Sequence, residues 1–278
     1  MPTVQNLKKK LQVIRSTRKI TRAMKTASTV KYSKISALYS DYSKYAQQCA
    51  MIYKRHSRDL TAAFSVKNPT APALYILLSS NNGMCGSFNT DLISYFEKLL
   101  SEEAETPTVF CVGKKGIAAL DSRAIACDKS YVLSDTPSYA DAAAMFSEIK
   151  ERLDDGQISS VKIVYPKYLN MIRQIPTTED LFDFSQDTEQ GSDVLFVPDK
   201  QTFVLNAAEK LFISILYKKI LEAALGAQAA TLMTMRTAYD SACEYEAQLE
   251  TQINRIRQTQ VTADVIEVSS DNSMKEEE

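Results

Sequence analysis

Proline and glycine interrupt helices, and in this chain of 278 residues they crowd into the middle. Pro2 is followed by no proline until Pro69, and Pro198 by none to the end. Six of the seven glycines (Gly83, Gly86, Gly113, Gly116, Gly156 and Gly191) are central, and only Gly226 lies beyond them. Two arms free of breakers therefore flank a centre rich in them, and the arms read as long helices.

Periodicity agrees. Val4, Leu7, Leu11 and Ile14 step three, four, three, the spacing of a coiled-coil seam. Ile35, Leu38, Tyr42, Tyr45, Cys49 and Ile52 repeat the alternation in a different phase. Arg18, Thr21, Lys25 and Ser28 stand where the first seam would continue, and the expectation is that this stretch faces something other than the partner helix. In the last arm Met235, Tyr239, Ala242, Glu246, Leu249, Ile253, Ile256, Gln260 and Ala263 form another seam. A helix that long needs a partner along its length, and the first arm is the obvious one. Charge supports the pairing: Met1 to Ser40 holds no acid, whereas Asp240 to Glu250 holds four acids and no base.

The centre alternates strand and helix. Leu74–Leu78, Thr108–Val112, Tyr131–Leu133 and Val161–Tyr165 read as strands. Asp91–Leu100, Lys114–Leu120 and Ala140–Leu153 read as helices between them, which implies a Rossmann-like α/β domain with a mostly parallel sheet. The expected organisation is an N-terminal coiled-coil helix over 1–66 and an α/β domain over 71–198. A C-terminal coiled-coil helix over 201–268 and a disordered acidic tail over 269–278 complete it.

Chemistry is sparse. His56 is the only histidine, which removes His-rich metal sites. The five cysteines are scattered without a C-x-x-C, so neither a zinc knuckle nor a disulfide framework is indicated. No run of about 18 apolar residues exists to span a bilayer. The loop Ser79-Ser80-Asn81-Asn82-Gly83-Met84-Cys85-Gly86-Ser87-Phe88-Asn89 stands where doubly wound sheets bind phosphate, but it has neither the G-x-G-x-x-G spacing nor a Gly-Lys-Ser/Thr ending. A structural turn is the reading taken, with nucleotide binding as the alternative. Cys85 reads as a small buried thiol rather than a nucleophile, because no base accompanies it. Gly113-Lys114-Lys115-Gly116 reads as a strand-to-helix turn, with anion binding as its alternative. The small-residue run Ala223–Ala230 reads as a close-packing helix face. The acid-free arm, Lys8 to Lys34, also admits nucleic-acid binding, although aromatic residues are scarce there.

Four segments together resemble the γ subunits of F-type ATP synthases. They are Asn6–Met24 with its Lys19-Ile20-Thr21-Arg22-Ala23-Met24 ending, Gly83-Met84-Cys85-Gly86-Ser87-Phe88-Asn89, Gly113-Lys114-Lys115-Gly116, and Asn254–Thr262 followed by Ile266-Glu267. They occur in the family's order across nearly the whole chain. The resemblance implies an antiparallel coiled coil of the terminal helices inside a ring of α and β subunits. It implies an α/β domain near the ε subunit and the membrane c-ring, no active site and no cofactor. It assigns hexamer contacts to Met24, Lys25, Arg257, Gln258 and Thr262, and contacts with the c-ring and ε to Phe196, Pro198 and Asp199. The chain departs from the family's usual Glu and Arg at Ala227 and Thr231, and from a common acid at Val197. The location expected is the cytoplasmic side of a bacterial membrane, held peripherally, with the matrix side of the mitochondrial inner membrane as the alternative.

Overall fold

A computed structural model describes residues 4–55, 68–103, 106–181 and 200–275. Helix α1 spans Val4–Arg55, and α5 spans Lys200–Lys275. Between them lie β1 (Leu74–Leu78), α2 (Phe88–Glu102), β2 (Thr108–Val112), α3 (Lys114–Ser122), β3 (Lys129–Tyr131), α4 (Tyr139–Asp154), β4 (Val161–Tyr168) and β5 (Gln174–Asp180). The chain divides into two compact units, one from 28–233 and one from the outer parts of both long helices, up to residue 27 and from residue 234. The α/β unit therefore takes in stretches of both helices that the sequence assigned to the coil.

In the larger unit the five strands order as β3-β2-β1-β4-β5. The first four are mutually parallel, and β5 runs antiparallel to β4. The strand alternation sends Leu74, Ile76 and Leu78 to one face and Tyr75 and Leu77 to the other. On the first face they meet Met145, Phe146 and Ile149 of α4 and Phe212, Leu216 and Ile220 of α5. Tyr39, Tyr42 and Cys49 of α1 pack against this layer. Phe146 and Phe212 lie with ring centroids 6.1 Å apart and nearly parallel planes. On the second face Leu92 and Phe96 of α2 and Leu120 of α3 cover Tyr75, Leu77, Val109 and Cys111. Helix α4 begins with a full capping box: Asp141 N–H donates to Ser138 Oγ, and Ser138 N–H donates to Asp141 Oδ2.

Strand β5 is absent from the sequence reading. Its Gln-Ile-Pro-Thr-Thr-Glu-Asp carries no apolar alternation, because it is an edge strand and its side chains are mostly half-buried. Pro166 of β4 stands opposite Pro176, a pairing that asks neither residue for an N–H. β3 lies two residues earlier than expected, so Val132 falls outside it and is exposed.

In the smaller unit the two helix ends run antiparallel. Lys25 Nζ lies 5.0 Å from the centroid of the Tyr239 ring, Arg18 pairs with Glu246, and Arg15 reaches both Glu246 and Glu250. Falling numbers on α1 thus meet rising numbers on α5.

The phase of α1 corrects the sequence reading. Its covered positions include Val4, Leu7, Leu11, Ile14, Arg18, Thr21, Lys25, Ser28, Tyr32, Ile35, Tyr39, Tyr42, Ala46 and Cys49, one unbroken alternation of three and four, with Met24, Ser36 and Ser43 half-buried beside it. Leu38 and Tyr45, expected in the seam, are 38% and 53% exposed, while Tyr39 and Ala46 take their places. The stretch Arg18–Ser28 is the seam itself; Thr21 and Ser28 are buried. Polar residues are tolerated there because they find local partners: Thr21 Oγ1 donates to the Thr17 carbonyl, and Arg18 meets an acid. On α5 the expected seam is covered from Met235 to Ile256, whereas Gln260 and Ala263 are exposed. The backbone of α5 stays helical through Lys275, into the tail expected to be irregular, since no proline or glycine follows Gly226.

Candidate functional site

The loop after β1 is built by its own hydrogen bonds. Ser79 Oγ donates to the Val112 carbonyl at 2.7 Å and accepts from Gly116 N–H at 2.8 Å. Lys115 N–H donates to the Ser80 carbonyl, and Lys114 N–H to Asn81 Oδ1. The free N–H groups that would make the start of α3 an anion seat are therefore already taken. The two glycines of Gly113-Lys114-Lys115-Gly116 make this possible. Gly113 has φ of 99°, and a Cβ on it would lie 2.4 Å from the Ser79 carbonyl oxygen; one on Gly116 would lie 2.4 Å from Ser79 Oγ. The turn reading holds, and the hydrogen bonding at α3 leaves no support for the anion alternative.

Cys85 is buried with Phe88 and Ala227, and its Sγ accepts from Asn89 Nδ2 at 3.1 Å. Asn82 and Asn89 are amides, so neither can act as a base for the thiol. Cys111 lies in the core below, where burial pushes its thiol up to about 12. A small cavity of about 50 Å³ separates this loop from α5; Gln228 and Thr231 line it together with Asn81 and Asp135. It has room for a few waters. The small-residue run packs as expected: a Cβ on Gly226 would come within 3.3 Å of both Gln174 and Phe88.

A partly buried charge network joins the sheet to α5, and no motif or periodicity marks it. Glu222 is 4% exposed and accepts from Tyr168 N–H at 3.1 Å. Burial raises its carboxyl above the usual range. Glu179 accepts one charge-assisted bond from Lys219, another from Lys167 at 3.3 Å, and a bond from Tyr165 OH; burial pushes its carboxyl up, and these partners, Lys219 foremost, outweigh that and lower it. Neither acid sits in a periodic pattern that names its partner.

The residues assigned to hexamer contacts all lie in the smaller unit. Arg257 and Gln258 are exposed immediately after Ile256, the last covered seam residue. Thr262 is exposed one turn further on, with its hydroxyl on the Gln258 carbonyl. Met24 and Lys25 are half-buried, and the Lys25 ammonium faces Tyr239. Phe196, Pro198 and Asp199 lie outside the described residues. Among the described residues no group of three or more His, Cys, Asp or Glu side chains could hold a metal, and no helix is long and apolar enough to cross a membrane. Two of the basic residues behind the nucleic-acid reading, Arg15 and Arg18, are spent on Glu246 and Glu250.

One unit is thus an antiparallel pair of helix ends, and the other a mostly parallel sheet with helices on both faces. A family model described as ATP synthase matches residues 3–272. The ATP synthase gamma chain of Gemmatimonas aurantiaca is 30% identical over 279 residues, covering 95% of this chain and 96% of that one. The gamma chain of Clostridium botulinum is 27% identical over 268 residues, covering 94% of each. Among solved structures, a chain of the Euglena gracilis mitochondrial ATP synthase (OSCP/F1/c-ring) superposes with a TM-score of 0.68 at 16% identity, covering 95% of this chain and 92% of that one. A chain of the Tetrahymena thermophila mitochondrial central stalk and c-ring gives 0.62 at 20% identity, covering 79% and 99%. The chain belongs to the ATP synthase gamma chain family. It is a central-stalk subunit, itself non-catalytic, and it associates with the membrane-bound complex.

Proposed function

We propose that this chain is the rotor shaft that couples ion-driven rotation of a c-ring to ATP synthesis and hydrolysis in a ring of α and β subunits. The observation that carries this reading is the placement of Arg257, Gln258 and Thr262. The helix pair stops covering α5 at Ile256, and these three polar residues are exposed just beyond. They are available to bond a loop of a surrounding subunit as the shaft turns, while Met24 and Lys25 contribute from α1. Coupling of this kind needs an element that meets each catalytic site differently in each state, and an off-axis helix pair does so by rotation. Phe196, Pro198 and Asp199 serve the contact with the c-ring and the ε subunit, on the cytoplasmic side of a bacterial membrane.

The test is reconstitution. The isolated chain should show no ATP turnover, and mixing it with purified α and β subunits should restore it. Turnover by the chain alone, or an α/β ring indifferent to its addition, defeats the proposal.

A further inference from the structure

Glu246 occupies a seam position that the rest of α5 fills with Met235, Tyr239, Ala242, Leu249, Ile253 and Ile256. Its side chain is 9% exposed, and it sits between two guanidinium groups: Arg15 Nε is 2.9 Å from Oε1, and an Arg18 terminal nitrogen is 2.9 Å from Oε2. Arg15 also reaches Glu250 at 2.6 Å, so one cation ties two turns of α5 together. A buried ion cluster is weak evidence for stability, because desolvation offsets its attraction. Its best-attested use in coiled coils is to choose the partner.

We propose that the Arg15–Glu246–Arg18 fork selects the pairing of α1 with α5 of the same chain over like-with-like pairing between copies. The apolar seam members cannot make that choice. Leu7, Leu11 and Ile14 on α1 and Leu249, Ile253 and Ile256 on α5 are all aliphatic, so burial alone draws each stripe to a second copy of itself as well as to the other. The charges discriminate. Two α1 helices side by side would place Arg15 and Arg18 against bases, since no acid exists from Met1 to Ser40. Two α5 helices would bury Glu246 within the base-free stretch Asp240–Glu250. Only α1 with α5 gives the buried carboxylate its two cations. Exchange of α1 between copies satisfies the same charges, but the intramolecular pair has the higher effective concentration. The inference concerns the free chain and does not depend on the rotor reading.

The experiment is sedimentation velocity on the full chain across a wide concentration range, with thermal melts alongside. The apolar triple variant Arg15→Leu/Arg18→Leu/Glu246→Leu should melt at or above the wild-type temperature yet self-associate at least about tenfold more tightly, the change that about 1.4 kcal/mol of pairing preference makes. The reversed variant Arg15→Glu/Arg18→Glu/Glu246→Arg should also lose selectivity, because it sets new acids opposite Glu250, and adding Glu250→Arg should restore wild-type behaviour. A triple variant that stays as monomeric as wild type overturns the proposal. So does wild-type chain that self-associates as tightly as the triple variant, or a reversed and repaired variant that fails to recover.

Discussion

Ser79 shows how a single side chain fixes the centre of the sheet. Its hydroxyl bridges the end of β2 to the first turn of α3, and the two glycines beside it exist to let it in. Ser79→Ala should cost about 1–2 kcal/mol in urea unfolding, the loss of a helix-start acceptor and a partly buried bond. The sequence exposed the turn but not its purpose, because Ser79 meets Gly116 across 37 residues. Glu222 supplies a pH signature. Its folded carboxyl titrates above its unfolded value, so the native state binds the proton more tightly, and the stability gained from this is complete at low pH and lost as pH rises through the folded value. Glu222→Gln keeps an oxygen for Tyr168 N–H without a charge. The variant should therefore gain thermal stability over wild type at pH 8 and gain least at pH 5; an equal gain at both would count against burial as the cause.

Among the elements, the terminal helices and four of the strands were legible because they rest on periodicity and on breakers. Their details were not. In α1 a run of apolar residues occupies two adjacent stripes, and composition alone cannot say which stripe meets the core. Packing chose Ile35, Tyr39, Tyr42 and Ala46, leaving Leu38 and Tyr45 outside. The two phases are separable by experiment. Ile35→Ala should cost about 2–5 kcal/mol, whereas Leu38→Ala should stay under about 1 kcal/mol, both by denaturant titration. Comparable losses would restore the first phase. β5 escaped notice for the opposite reason. An edge strand with one neighbour needs little apolar surface, so it leaves little trace in sequence. Of the candidate site, the exposed Arg257, Gln258 and Thr262 came from a motif, while Arg15 and Arg18 acquired their partners only through folding.

At the scale of the whole molecule, function belongs to assembly. Replacing Arg257 and Gln258 together with alanine should lower coupled ATP turnover by about tenfold or more, as losing charge-assisted bonds at a working interface does. The circular dichroism of the isolated chain should be unchanged, since both side chains are exposed. Wild-type rates in the reconstituted complex would remove their assigned role. Nucleic acid should bind weakly at physiological salt, and tight binding with a steep salt slope would instead favour a basic nucleic-acid-binding coil. At the start of α3, Ser79, Ser80 and Asn81 already fill the positions that a phosphate would take. A passing nucleotide would have to evict three acceptors at once to settle there. At that position the stalk is deaf to the ATP around it, and news of catalysis must reach it as force.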